Sequence, residues 1–337
     1  MPHYLGIEIG GTKLQLGVGA GDGRPLVALE RREIDPSGGA ARIAEQIAAA
    51  GGPLVNRFDV RGVGFGFGGP VDPIDGRVIK SHQVDGWDGF PLASWSTQRL
   101  GRPAVVGNDC DLAALAEALF GAGKGAGRVF YVTVGTGVGG GFVVDRRLEG
   151  GGRPAIAEIG HLRPGLECRH AEATVESMAS GWGILAAARR LLEEDSPGPT
   201  SFGDGEYSMP PIAVEVSDSD IQDLLVRCGH DLERLTAKDV GQAAADGNRL
   251  AGGVMAHATE VLGWAIAQVV TLLAPHHVIV GGGVSLQGET LFLDPVRRAA
   301  ARYVFPPLAT SYTICPALLG EEVVVHGALA FARQCFG

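Results

Sequence analysis

Two related α/β domains are the fold class this sequence predicts, and three observations carry it. The chain has 337 residues, too many for one typical domain and comfortable for two. Short apolar runs that read as buried strands alternate with stretches of helical periodicity. A motif then recurs: strand, Ile9-Gly10-Gly11-Thr12, strand, and later strand, Val134-Gly135-Thr136-Gly137, strand. The repeat is weak, but it points to two domains of one design, each opening on a glycine turn between antiparallel strands.

The elements follow in order. Residues 4–9 and 13–18 are apolar runs split by glycine and read as a hairpin. Residues 42–50 are alanine-rich and helical, and 60–67 form a buried strand. A short strand at 104–107 leads into 109–120, whose leucines and alanines recur at helical spacing. Residues 128–134 and 140–144 make a second hairpin around 135–139. The stretch 196–211, rich in Pro, Gly, Ser and Asp, is expected to be a surface excursion. At 236–245 a helix starts, with Thr236 as N-cap and Asp239 three residues on, where the free N–H groups favour an acid. Residues 249–273 are helical, 277–280 a buried strand, and 326–334 a closing helix of small residues.

Composition narrows the function. Hydrophobic residues make up 45% and charged residues 20%, so a soluble globular protein with sizeable cores is expected rather than disorder. The net charge of −10 repels phosphate backbones and anionic lipid, which argues against nucleic acid or membrane as partner. The longest stretch without formal charge, 261–288, is broken by Gln268, Pro275, His276, His277 and three successive glycines. It reads as a buried helix, a break and a strand, not a lipid span. The N-terminus has neither a basic nor an apolar leader region, and the first strand starts too early to leave space for a DNA-binding helix-turn-helix. Cysteines 110, 168, 228, 315 and 335 form no CxxC pair, so a cytoplasmic location is expected. The 53 glycines lack a collagen period and must serve turns and close backbone approaches.

Three glycine clusters stand out: Gly10-Gly11-Thr12-Lys13, Gly135-Thr136-Gly137 and Gly281-Gly282-Gly283. A turn without side chains lets backbone N–H groups point at an anion, and a hydroxyl and an ammonium make the first a plausible phosphate cradle. Each alone could equally be an ordinary hairpin turn. Two GxGxxG matches, at Gly64/Gly66/Gly69 and Gly135/Gly137/Gly140, are decoys because neither opens a helix. No GxxxxGK[ST] run is present, so a P-loop is excluded. Asn108-Asp109 lies between a strand and a helix, where it could cap the helix or place a carboxylate at a strand's C-terminal end. Glu158, His161 and Glu176 would, unaided, read as surface residues.

Taken in order, these segments resemble the ROK family of sugar kinases within the actin-like ATPase superfamily. Glu8-Ile9-Gly10-Gly11-Thr12-Lys13 is similar to the family's first phosphate motif, and Gly68-Gly69-Pro70-Val71-Asp72 to its sugar-side turn. The pattern continues through Gly86-Trp87-Asp88-Gly89-Phe90-Pro91-Leu92 and the catalytic Gly107-Asn108-Asp109. Gly135–Gly141 matches the second phosphate motif, Glu158-Ile159-Gly160-His161 the sugar loop, 278–284 the adenosine motif, and His326-Gly327-Ala328 the closing helix. No single match is specific; their order is.

The resemblance implies a two-lobed actin-like ATPase (RNase H-like) α/β fold with a central interlobe cleft. The small lobe would hold 1–114 plus 318–337 and the large lobe 115–317. It further implies ATP-dependent phosphorylation of a hexose, of glucokinase type and at O6, with Asp109 as base. Gly69, Gln83, Asn108, Glu158, His161 and Glu176 would bind the sugar. Gly10, Gly11, Thr12, Lys13, Thr136, Gly137, Gly281 and Gly282 would hold ATP. Mg²⁺ would offset the phosphate charge, with Glu8, standing where Asp is commoner, reaching a magnesium-bound water. A homodimer is implied as well.

Two departures qualify this picture. Many members carry a zinc site built from a CxCGxxGCxE run and the sugar-loop histidine. Aligned on Glu176, the three cysteine positions here hold Glu167, Arg169 and Thr174, so no zinc is expected. Other packing must then hold Glu176. His82-Gln83 replaces the Pro-Asn of glucokinase-like members, so the hexose could differ. The alternatives are a kinase for fructose, mannose or an N-acetylated amino sugar, or a non-catalytic sugar-binding relative. ATP and polyphosphate both remain open as donor.

Overall fold

The computed structural model describes residues 2–81, 84–150, 152–153, 155–165, 171–193 and 216–337. The excursion at 196–211, His82-Gln83, and the positions Glu167 and Arg169 lie outside the described residues. In chain order the strands and helices begin β1 (His3–Ile9), β2 (Lys13–Gly19), β3 (Ala28–Glu33), α1 (Gly39–Phe58), β4 (Val60–Phe67), β5 (Val71–Asp72), β6 (Arg77–Val78). They continue α2 (Leu92–Leu100), β7 (Ala104–Asn108), α3 (Asp109–Phe120), β8 (Arg128–Val134), β9 (Val138–Val144), β10 (Arg147–Leu148), α4 (Val175–Ala179), α5 (Gly181–Glu193). The rest are α6 (Asp218–Arg227), α7 (Ala237–Ala245), α8 (Arg249–Leu273), β11 (His277–Gly281), α9 (Asp294–Tyr303), β12 (Thr313–Pro316) and α10 (Val323–Phe336).

The chain divides into two compact units. The first holds Met1–Tyr131, Gly140–Ala157 and Ala317–Gly337, and the second Val132–Gly139 and Glu158–Pro316. Each hairpin and buried strand read from the apolar runs is present.

In the first unit, one sheet has the order β3-β2-β1-β4-β7, with β1 antiparallel to β2 and parallel to β4. Period-two alternation sends Leu5, Ile7 and Ile9 into the large core shared with Ile43, Ile47, Leu54 and Val55 of α1. The intervening Tyr4 packs instead with Val325, Leu329 and Ala332 of α10. Helix α10 approaches this second face so closely that a methyl group on Gly64 would strike the Ala328 carbonyl. Helix α1 is longer than the 42–50 core of its pattern. It runs through Gly51-Gly52-Pro53 because its buried stripe resumes at Leu54 and Val55, and this packing outweighs the hydrogen bond Pro53 removes.

The second sheet runs β10-β9-β8-β11-β12, and β8 and β9 pass through both units. In the second unit, β11 pairs in parallel with β12. Helix α8 is long and apolar enough to cross a membrane by length and composition. Leu250, Val254, Met255, Ala258, Leu262, Ile266 and Val270 are instead buried, and the helix packs against α4, α5, α7 and α9. Its expected span is also its observed one, and β11 follows after the Pro275 break.

Candidate active site

In the first unit the site begins at the β1–β2 turn. Gly10 donates its N–H to the Lys13 carbonyl (3.0 Å), while Thr12 accepts from Ile34 N–H (2.9 Å), so Gly10–Lys13 is a closed, fixed turn. Thr12 and Lys13 are exposed beside it. Glu8, one turn of the pleat earlier, lies with its Oε1 3.9 Å from Lys13 Nζ, and its side chain is only 12% exposed. Burial raises the Glu8 pKa above the usual carboxylate range, against the pull of Lys13 and the Gln15 hydrogen bond; the nearby Asp109 charge adds to the rise.

At the β7–α3 junction the capping falls to Asn108 and not to Asp109. Asn108 is the N-cap: its Oδ1 accepts from Cys110 N–H (2.8 Å) and Asp111 N–H (3.3 Å), and its Nδ2 donates to the Gly69 carbonyl (3.0 Å). Gly68 N–H in turn donates to the Ile9 carbonyl (3.0 Å), so the Gly68–Gly69 turn, Asn108 and the end of β1 are tied together. Asp109, the first helical residue, accepts from Cys110 N–H through Oδ1 (2.8 Å). Its Oδ2 is on the Gly68 side, 3.5 Å from where a methyl group on Gly68 would stand. Burial pushes its pKa up, against the hydrogen bonds that lower it.

In the second unit, Thr136 sits exposed at the β8–β9 turn, which is closed by Gly135 N–H to the Gly137 carbonyl (2.9 Å). Gly181 N–H, at the head of α5, donates to the Gly135 carbonyl (2.8 Å). Glu176 of α4 accepts from Val138 N–H through Oε2 (2.8 Å), and a methyl group on Gly137 would come to 2.5 Å from that oxygen. Only glycine fits at 137 while the carboxylate is there. The short Ile159–His161 turn packs on the same strand, with a side chain at Gly160 excluded by the Val138 carbonyl. Glu158 and His161 stand exposed on it, and Leu162 accepts from Val175 N–H (2.8 Å), joining the turn to α4.

Thr174, at one of the three cysteine positions, caps α4. Its Oγ1 accepts from Ser177 N–H (3.2 Å) and its N–H donates to Ser177 Oγ (2.9 Å), a reciprocal capping box. That box and the Val138 bond are what hold Glu176.

A cavity of about 950 Å³ opens from the Gly135-Thr136 turn. Trp182 and Leu185 of α5, Lys238 and Gln242 of α7, and Leu286 and Gln287 after β11 line it, and its size suits a nucleoside. Gly281 ends β11 buried and Gly282 backs onto Val134, so the wall itself begins at Gly283 and Val284. Nothing in the sequence singles out Trp182, Lys238, Gln242 or Gln287; the one nearby signal is the Thr236 cap, which marks the start of α7.

Among the described residues, no three His, Cys, Asp or Glu side chains gather into a metal cage. Mg²⁺ needs none, because it keeps several waters and takes one or two carboxylates plus phosphate oxygens. The enclosed Glu8 carboxyl beside the first turn fits that outer role.

Two sheets, each with a hairpin closed on glycine, place the chain in the actin-like ATPase fold. Within that class the ROK family model matches residues 4–335, and this chain is a member of the ROK family. The glucokinase of Halalkalibacterium halodurans is 30% identical over 98% of this chain and 95% of that protein. A ROK family glucokinase from Streptomyces griseus, solved in complex with glucose and AMPPNP, superposes with a TM-score of 0.77 at 30% identity, covering 98% of this chain and 99% of that one. A ROK hexokinase from Thermus thermophilus also gives 0.77, at 26% identity, covering 98% of each.

Proposed function

We propose that this ROK-family sugar kinase transfers the terminal phosphoryl group of ATP to a hexose hydroxyl, with glucose O6 as the leading acceptor. The observation that carries the reading is Asp109. It heads α3 with its pKa raised by burial, while Asn108 does the capping that would otherwise explain a polar residue there. The glucokinase relatives, one of them solved with glucose and an ATP analogue, support the substrates.

A carboxylate is much too weak to deprotonate an alcohol beforehand. Asp109 aligns the acceptor oxygen and accepts its proton as the O–P bond forms, and a raised pKa makes it the better acceptor. Asn108, Gly69 and Gln83 in the first unit, and Glu158, His161 and Glu176 in the second, are assigned to the sugar. Gly11, Thr12 and Lys13 present N–H groups, a hydroxyl and an ammonium to phosphate, with Gly10 closing the turn through its own N–H. Thr136 and Gly137 add a hydroxyl and N–H groups from the second unit. The 950 Å³ cavity takes the nucleoside, which favours ATP over polyphosphate. Glu8 is the residue that would hold a water of a bound Mg²⁺, which would supply charge neutralisation at the phosphates.

The test is ADP release across glucose, fructose, mannose and N-acetylated amino sugars, for the native chain and Asp109→Asn. Turnover with at least one sugar is expected. The variant should keep its hexose affinity and lose about 10²-fold or more in kcat. Sugar binding without turnover in the native chain would make it a non-catalytic relative, and unchanged turnover in the variant would remove Asp109 from the chemistry.

A further inference from the structure

Glu8, Gln15 and Arg31 are direct partners in register on three neighbouring strands: Glu8 faces Gln15 between β1 and β2, and Gln15 faces Arg31 between β2 and β3. Directly opposed residues project to the same side of a sheet, so the three side chains form one row. They are bonded along it. Arg31 Nε donates to Gln15 Oε1 (3.0 Å), and Gln15 Nε2 donates to Glu8 Oε2 (2.6 Å) and to the Glu321 carbonyl (3.0 Å). At the outer end, Arg31 Nη2 meets Glu322 Oε1 at 2.8 Å, at the cap of α10.

The middle member is the telling one. Gln15 is 1% exposed, a neutral amide buried with every partner accounted for. Its orientation is determined: an arginine can only donate, so the oxygen must face Arg31 and both amide protons must face inward. A reversed amide would set its oxygen against the Glu8 carboxylate and the Glu321 carbonyl. Arg31 thus dictates which end of Gln15 meets Glu8.

We propose that Gln15 is a positioning residue for phosphoryl transfer, the middle of an Arg31–Gln15–Glu8 ladder that occupies Glu8 Oε2 and leaves Oε1 on the Lys13 side to hold a magnesium-bound water. The longer side chain at position 8 has an extra torsion to restrain, and the cross-strand amide restrains it. The inference rests on the kinase reading above.

The test uses the full chain and reads binding as well as activity. The affinity for a non-hydrolysable ATP analogue is measured by calorimetry with excess Mg²⁺ and with EDTA, and the ratio is the metal-dependent gain. In Gln15→Leu that gain should fall about 10-fold, the lower end of what losing a ligand's supporting hydrogen bond costs. Affinity for hexose, and for the analogue in EDTA, should hold. Arg31→Met, a change at a half-exposed side chain, should lower the same ratio by less and decides the matter if Gln15→Leu folds poorly. In a Glu8→Gln background neither change should lower it further, because the carboxylate they position is already gone.

Full retention of the gain in both variants, or an equal loss with and without Mg²⁺, overturns the ladder and leaves the kinase intact. Absence of turnover with every hexose in the native chain overturns the kinase reading itself.

Discussion

Asp109 carries a cost that its proposed role explains. A half-buried carboxyl whose pKa is raised by desolvation is held preferentially in its neutral form by the fold. The sign follows from linkage: the folded state prefers the proton, so stability is fullest below the unfolded pKa, about 4 for an aspartate, and falls as pH rises through the folded value. Asp109→Asn removes the charge while keeping an acceptor for Cys110 N–H. The variant should therefore melt higher than the native chain at pH 7, with the gap closing as pH falls below about 4. Activity runs the other way, because protonated Asp109 cannot accept a proton: native kcat should fall on the acid side at a pH above the ordinary aspartate range. Paired melting curves and pH–rate profiles check both. A variant no more stable than the native chain at pH 7 would mean that the carboxylate is well solvated after all.

Among the elements, α4 is the one on which the proposed sugar role of Glu176 depends. Five residues make a helix too short to persist alone, so its Thr174–Ser177 capping box and the Leu162–Val175 bond must keep it in place. Thr174→Ala should cost about 1 kcal/mol of stability and should weaken hexose binding through Glu176, with the ATP-analogue affinity less affected. A melting curve and a hexose titration separate the effects; lost stability with unchanged hexose affinity would detach Glu176 from the sugar.

Such elements also show what the sequence can and cannot reveal. Helices α3 and α8 and strands β4 and β8 were legible end to end, because a one-sided or fully buried apolar pattern declares both period and length. Strand β3, Ala-Leu-Glu-Arg-Arg-Glu, has no such pattern: it is an edge strand with its last three residues exposed, and pairing with β2 alone makes it. Helix α9 buries only Val296, Ala299 and Ala300 among charged neighbours, too thin a stripe to read unaided. The glycine turns and Asn108-Asp109 were legible because their chemistry is local in the chain. The walls of the 950 Å³ cavity were not, because α5, α7 and the segment after β11 meet only in the folded second unit.

Across the whole molecule, the proposed ligand roles divide along the two units. Asp109, Glu8 and the Gly10–Lys13 turn lie in the first; the cavity, the Gly135–Gly137 turn and α4 lie in the second. Binding that favours the native state stabilises by mass action, about 2.7 kcal/mol at a ligand concentration 100 times Kd, and the amides it protects reveal where the ligand sits. Hydrogen exchange with a non-hydrolysable ATP analogue should slow in the Gly135–Val138 turn, the first turns of α5 and α7, and the segment after β11. Glucose, or whichever hexose turns over, should slow the first turn of α3 and residues 158–162 instead. The loop at 229–235, well away from the assigned sugar residues in sequence, serves as an internal control for hexose. If the analogue protects none of the cavity-lining amides, the nucleoside does not bind there, and the case for ATP over polyphosphate as donor is lost. If hexose leaves the first turn of α3 unprotected, Asp109 is not at the sugar, and no kinetic result on that residue could then be read as proton transfer.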